Sequence, residues 1–344
     1  MHGQPSRETG RSRGARVVRV LFAALLLSAA GARPALAWGC EGHQAIARLA
    51  ERLLDPQTAS RVKALLAAAP IDRSLRRFCP PDTDPLADAS TWADDERSVE
   101  PETAPWHFID FPRTVDAAHA DYRRYCPDGR CVVDAILTQF RILTSHAGTR
   151  RRADALRYLI HFVGDIEQPL HDITNGDRGG NCLPVRYEGT PPEEGPFSSF
   201  RPNLHGVWDV DLIRTLMQRH RLATPAALAA WLARTETPAR VSPLVPSTAV
   251  VVAWSRTANA LAKTIAYGKL PRAVPLEPAS VLESCAGNHD VGHRLAGLHE
   301  SIGRRYEAAS LPVVSRQLAT AAVHLAGVLE AAFAPESRRG RPRR

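Results

Sequence analysis

Two short strings place imidazoles and carboxylates at helical spacing. In HFVGDIEQPLHD, residues 161–172, His161 and Asp165 are four apart and His171 follows Pro169; in NLHGVWDV, residues 203–210, His205 and Asp209 repeat the spacing. Residues i and i+4 share a helix face, so each string aims one imidazole and one carboxylate from the same side. Neutral imidazole with carboxylate suits zinc, whereas calcium and magnesium favour oxygen-only shells. One such pair is an ordinary solvated or hydrogen-bonded helix pair. Two pairs, together with His171 and the upstream His43, Asp94 and His107, favour a metal centre. His161 and Asp165 also lie beside an apolar stripe, where a carboxylate is costly unless it meets a cation or a donor.

The elements that must hold these groups are helical. Leu156, Leu159, Ile160 and Val163 recur at i, i+3, i+4 and i+7, which predicts a helix over 153–168 stopped by Pro169. Similar patterns predict helices over 44–54, 59–68, 131–145, 204–220, 248–267, 289–308 and 313–333. The Pro- and Gly-rich stretches 70–85 and 176–202 read as loops, the second with a short hairpin around 183–187. No linker or repeat divides the chain, so 38–335 is expected to be a single all-α domain.

Charge first suggests nucleic acid. The 344 residues are 44% hydrophobic and 23% charged, which excludes disordered and collagen-like classes, and they carry a net charge of +8. The excess lies at the ends. Residues 1–37 hold six Arg, one Glu, an apolar run of eleven residues from Val20 to Ala30, and Ala35-Leu36-Ala37. This is the layout of a secretory signal peptide, too short for a membrane span. Residues 336–344 hold five Arg in a Pro/Gly-broken tail expected to be disordered. The body between has 33 basic and 34 acidic residues, so the electrostatic footprint of a nucleic-acid binder is not in it.

An exported chain with six Cys is expected to form disulfides. Cys126 and Cys131 can close a small loop; Cys40, Cys79, Cys182 and Cys285 can pair in three ways. His289 and His293 read as a helix-surface pair. Neither a Walker or Rossmann fingerprint nor a G-x-S-x-G elbow occurs.

With cleavage after Ala37, the mature chain would begin Trp38-Gly39-Cys40-Glu41-Gly42-His43. W-G-x-x-G-H, then W-A-D (92–94), H-F-I-D (107–110), H-F-x-G-D-x-x-Q-P-L-H (161–171), G-G-N (179–181) and N-L-H-x-x-W-D (203–209) closely resemble the zinc-dependent single-strand-specific nucleases, the S-one/P-one nuclease family. The resemblance implies an all-helical fold of the phospholipase C/nuclease type with three zinc ions in a cleft. Asp94, His107 and His161 would hold one ion, and the amine and carbonyl of Trp38 with His43 a second, Asp165 bridging the two. His171, His205 and Asp209 would hold the third. The bridged pair would serve the nucleophile, oriented by Asp94, and the third ion the phosphate and the leaving 3′ oxygen. Arg97 would contact the phosphate, while Phe108 would stack on a base and Asp110 hydrogen-bond to it; stacking of this kind needs a base freed from the duplex.

The expected activity is endonucleolytic hydrolysis of single-stranded DNA and RNA to 5′-phosphate products, with 3′-nucleotidase activity. The protein would be a monomer, exported to the periplasm or cell exterior, without stable membrane association. Two rivals are a zinc-dependent phospholipase C and a secreted zinc-binding protein without catalysis. The first spaces its initial His farther from the terminal Trp and has Glu where Asp209 stands; against the second stand the full ligand set and Arg97.

Overall fold

The central element of the computed structural model is a helix with no outward face over its second half. From Ala155 to Asp165 every residue of Thr149–Asp165 is buried, as expected of a helix that forms the middle of a core. The structure describes residues 1–2, 38–194, 200–237, 241–276, 285 and 300–333. The segment read from sequence as a signal peptide, beyond residue 2, the basic tail and the His289/His293 pair lie outside them.

We number the helices α1 (Gly39–Leu53), α2 (Pro56–Ala68), α3 (Pro85–Ala89), α4 (Trp92–Glu96), α5 (Val132–Leu143), α6 (Thr149–Asp165), α7 (Leu204–Gly206), α8 (Leu212–Arg219), α9 (Pro225–Thr235), α10 (Thr248–Leu261) and α11 (Arg304–Phe333). α6 packs against α5, α11, α2, α4, α1 and α3, and α1 packs between α11 and α9. Several starts follow one local rule, in which a Ser, Thr or Asp accepts a backbone N–H and a Pro supplies the preset first helical residue. Asp55, Asp84 and Thr224 cap α2, α3 and α9 in this way, each followed by Pro.

The all-α expectation holds, with local corrections. The span 204–220 is not one α-helix: α7 and α8 are joined by a π-helical segment, Val207–Asp211, and α10 likewise runs into a π segment, Ala262–Tyr267. The span 289–308 is not a helix throughout, because Glu300–Ile302 is a strand, and the final helix starts at Arg304 and continues through Pro312. Helix α9 was not anticipated.

The stretch expected to hold a short hairpin has a tight antiparallel turn at Tyr187–Thr190, and residues 185–187 also pair at long range. β1 (Val185–Tyr187), with Val185 and Tyr187 buried and Arg186 exposed, pairs in parallel with Glu300–Ile302. A two-residue antiparallel pair joins β2 (Glu193–Glu194) to β3 (Phe200–Arg201), and Glu300–Ile302 is β4. Three disulfides close the chain: Cys40–Cys79, Cys126–Cys131 and Cys182–Cys285. Among the described residues no helix is long and apolar enough to cross a membrane.

Candidate metal centre

α6 brings His161 and Asp165 into the core on one face, and the chain then turns through a 3-10 helix, Pro169–Asp172, that presents His171. α1 supplies His43, α4 Asp94, the end of the 3-10 helix Pro101–His107 supplies His107, α7 supplies His205, and the π segment Asp209. These side chains form three groups, the first two sharing His161: His43, His161 and Asp165; Asp94, His107 and His161; and His171, His205 and Asp209. Within each group the ligand atoms all lie within 4.8 Å of one another. His161 Nε2 is 3.2 Å from Asp165 Oδ2 and 3.7 Å from Asp94 Oδ2, His43 Nε2 is 3.3 Å from Asp165 Oδ1, and His205 Nε2 is 3.3 Å from Asp209 Oδ2.

Three of the imidazoles are held from behind by backbone carbonyls. His161 Nδ1 lies 2.7 Å from Ser90 O, His171 Nδ1 2.7 Å from His107 O, and His205 Nδ1 2.8 Å from Gly179 O. A carbonyl only accepts, so Nδ1 carries a proton in each ring; in His171 and His205, which burial holds neutral, Nε2 is then left with its lone pair turned to the cluster. Gly179 must be glycine for this contact: its φ is +60°, and a Cβ would stand 2.3 Å from Leu170 O. Gln168 donates to Asp209 Oδ1 at 2.7 Å while its own oxygen accepts Leu170 N–H at 2.6 Å. Sequence reasoning assigned no role to Ser90, Gly179 or Gln168; the GG and QP positions of the quoted motifs were the available signal.

The donor set fits a metal. His43 Nδ1 and Nε2, His107 Nε2, Asp165 Oδ1 and Asp209 Oδ2 are buried without a hydrogen-bond partner, an arrangement whose desolvation cost goes uncompensated by protein groups. Burial pulls the His107 imidazole down to about 4, and burial together with His171 pulls His205 to about 3, so both are neutral ligands at pH 7. Burial also disfavours charge on His161, yet Asp165 and Asp94 outweigh it and hold that ring up at about 9. Burial, reinforced by the nearby Asp165 and Asp94, raises Asp209 well above the usual carboxylate range against the hydrogen bonds from Gln168 and the Trp38 nitrogen. A protein-bound cation is the missing counter-charge for such groups.

Trp38 is fully buried at the left-handed turn that starts α1, with φ 47°; its backbone nitrogen lies 3.3 Å from Asp209 Oδ1 and its indole N–H donates to Gly164 O at 2.8 Å. Trp38 thus abuts the His171 group and opens the turn that leads to His43. At the rim, Arg97 Nη1 donates to Asp94 Oδ1 at 3.2 Å. Phe108 and Asp110 are half-buried beyond His107. Burial and the neighbouring Asp177 carry the Asp110 carboxyl up to about 7, against the pull of Arg178.

Comparison with known proteins places the whole described body in one family. A model of the S1/P1 Nuclease family matches residues 38–334. Endonuclease 2 of Arabidopsis thaliana is 32% identical over 215 residues, 59% of this chain and 64% of the relative. Nuclease P1 of Penicillium citrinum is 31% identical over 191 residues, 54% of this chain and 62% of the relative. The matched region thus spans a little under two thirds of these relatives, whereas Endonuclease 3 of Arabidopsis thaliana matches at 25% identity over 92% of its length. With nearly all of 38–334 covered by the family model and three His/Asp groups gathered around its central helix, this chain belongs to the S1/P1 nuclease family.

Proposed function

We propose that the chain is a zinc-dependent endonuclease that hydrolyses phosphodiester bonds of single-stranded DNA and RNA to 5′-phosphate products and also acts as a 3′-nucleotidase. The observation that carries this reading is the set of three His/Asp groups, two of them sharing His161, with orphaned buried nitrogen and oxygen atoms. Zinc is the ion best matched to that donor set, and three ions are proposed. Asp94, His107 and His161 would hold the first; Trp38 N and O with His43 the second, Asp165 shared between these two; His171, His205 and Asp209 the third. Bound zinc supplies an activated water at neutral pH and neutralises the charge that develops on phosphate.

The remaining work falls to side chains at the rim. Arg97, fixed by Asp94 and 28% exposed, offers a planar guanidinium to the phosphate oxygens. Phe108 offers a ring on which an unpaired base can stack, and Asp110 a carboxyl for the base edge. We also propose that residues 1–37 are removed on export to the periplasm or cell exterior, that 336–344 is a disordered basic tail, and that the mature protein works as a monomer free of membranes. Three disulfides support an oxidising compartment.

The test is metal analysis of protein beginning at Trp38, combined with product analysis on single-stranded DNA, RNA, 3′-nucleotides and phosphatidylcholine. About three zinc per chain with 5′-phosphate products is expected. Zinc without hydrolysis, or hydrolysis of the lipid alone, overturns the reading.

A further inference from the structure

The helix that carries Asp94 and ends at Arg97 is only five residues long, Trp92–Glu96, far below the length at which a helix holds itself in water. Ser90, whose carbonyl fixes His161, lies in the link just before it. A neighbouring loop supplies the missing restraint. Arg77 Nε donates to Asp95 Oδ2 at 2.6 Å, and its Nη2 donates to Asp88 O at 3.1 Å, Asp88 Oδ1 at 3.2 Å and Thr91 Oγ1 at 3.2 Å. The next residue, Phe78, donates its backbone N–H to the other oxygen of Asp95 at 2.7 Å. The one after, Cys79, is bonded to Cys40, in the first turn of α1 between Trp38 and His43.

Three consecutive residues therefore join the segment bearing Ser90, Asp94 and Arg97 to the segment bearing Trp38 and His43. They do so with a guanidinium, a backbone N–H and a disulfide. The Asp95 carboxylate that receives two of these bonds is fully buried, so the contact is shielded from the solvent that weakens surface ion pairs. Only arginine has a rigid fork that reaches Asp88, Thr91 and Asp95 together; a lysine ammonium is a single point charge on a flexible stem.

We propose that Arg77 is a positioning residue for the metal centre, holding Asp94 and Arg97 in place, with the Cys40–Cys79 bond extending the same restraint to His43. This rests on the reading of the His/Asp groups as a metal centre. Arg77 acts through Asp94 and not on the substrate, so zinc affinity and kcat should move while KM stays.

The experiment compares wild type, Arg77→Met, Arg77→Lys and a Cys40→Ser/Cys79→Ser double variant, measuring zinc retained per chain under graded chelator, helical circular dichroism, and kcat and KM on single-stranded DNA. Loss of an outer partner of a metal ligand typically lowers metal affinity by about 10–100-fold. That loss is expected for part of the zinc in Arg77→Met, with the remainder retained, kcat reduced and KM within about twofold; Arg77→Lys should fall between. Wild-type zinc affinity in Arg77→Met overturns the proposal. So does equal loss of all zinc together with helicity in both Arg77 variants, which would make Arg77 a residue of the fold alone. A wild-type protein that holds no zinc under the same conditions would instead overturn the reading of the site.

Discussion

Gly164→Ala should separate folding from metal binding in this chain. Gly164 lies near the end of α6, next to Asp165, and in a helix interior alanine is favoured over glycine by about 0.8–1.0 kcal/mol. Against this, a Cβ at Gly164 would stand 3.0 Å from His43 Cε1 and Nδ1 and 3.5 Å from Ile46 Cδ1, so the ring must give by a few tenths of an ångström. It has little room to do so, because its other face stacks on His161 at 4.0 Å between centroids and only 1% of the residue is exposed. Overpacking of this kind costs about 1–3 kcal/mol. The two terms leave the metal-free protein destabilised by roughly 0–2 kcal/mol. A ligand shift of a few tenths of an ångström is larger than the roughly 0.2 Å tolerance of a metal bond, so affinity should fall by about 10–100-fold, the range seen when ligand support is lost. Chelator titration with zinc quantification reads the affinity, and thermal unfolding of the metal-free protein reads the stability. An unchanged chelator midpoint refutes the argument, as does a metal-free protein destabilised by much more than about 3 kcal/mol.

Three further outcomes follow from the rim and the N-terminal turn. Arg97→Ala should lower kcat on single-stranded DNA while leaving zinc content at the wild-type level; unaltered turnover rejects its phosphate role. A chain that begins one residue before Trp38 should lose one zinc equivalent and most activity, because an acylated Trp38 nitrogen has its lone pair tied up in the amide; full zinc content would count against it as a ligand. Asp110 titrates near 7 in the folded protein and near 3.9 unfolded, so the native state binds its proton more tightly. Its contribution to stability is complete below about pH 4 and is lost as pH rises through 7. The Tm of Asp110→Asn should therefore gain on wild type between pH 5 and 8, and a pH-independent difference would show that the carboxyl is not buried as described.

The gathering of His161 with Asp165 and of His205 with Asp209 could be read from sequence because helical spacing and residue chemistry are local. Each pair needed only a face and a donor type. What stayed hidden was carried by backbone or by distance along the chain. Ser90 O and Gly179 O act as carbonyls, which every residue has, so nothing in their side chains advertises the bond to His161 or His205. The pairing of Cys182 with Cys285, 103 residues away, and the parallel ladder of Val185–Tyr187 with Glu300–Ile302, depend on packing that periodicity does not contain. The π segment Val207–Asp211 also escaped, since a pattern spaced for an α-helix tolerates one looser turn without losing its apolar face.

That looser turn makes the His205–Asp209 pair a matter of chain length as well as residue type. In a regular α-helix residues four apart are offset by about 40° around the axis, and the i→i+5 bonding of a π segment winds more slowly, so the offset closes and both side chains stand nearly in line. The helix is in effect one residue overfull at the point where His205 and Asp209 join His171. Losing that residue would give a better-bonded helix and turn Asp209 away from His205. Stability and ligand geometry therefore pull in opposite directions along Val207–Asp211. A survey of deletions there would find the most stable chains among those least able to bring His205 and Asp209 together.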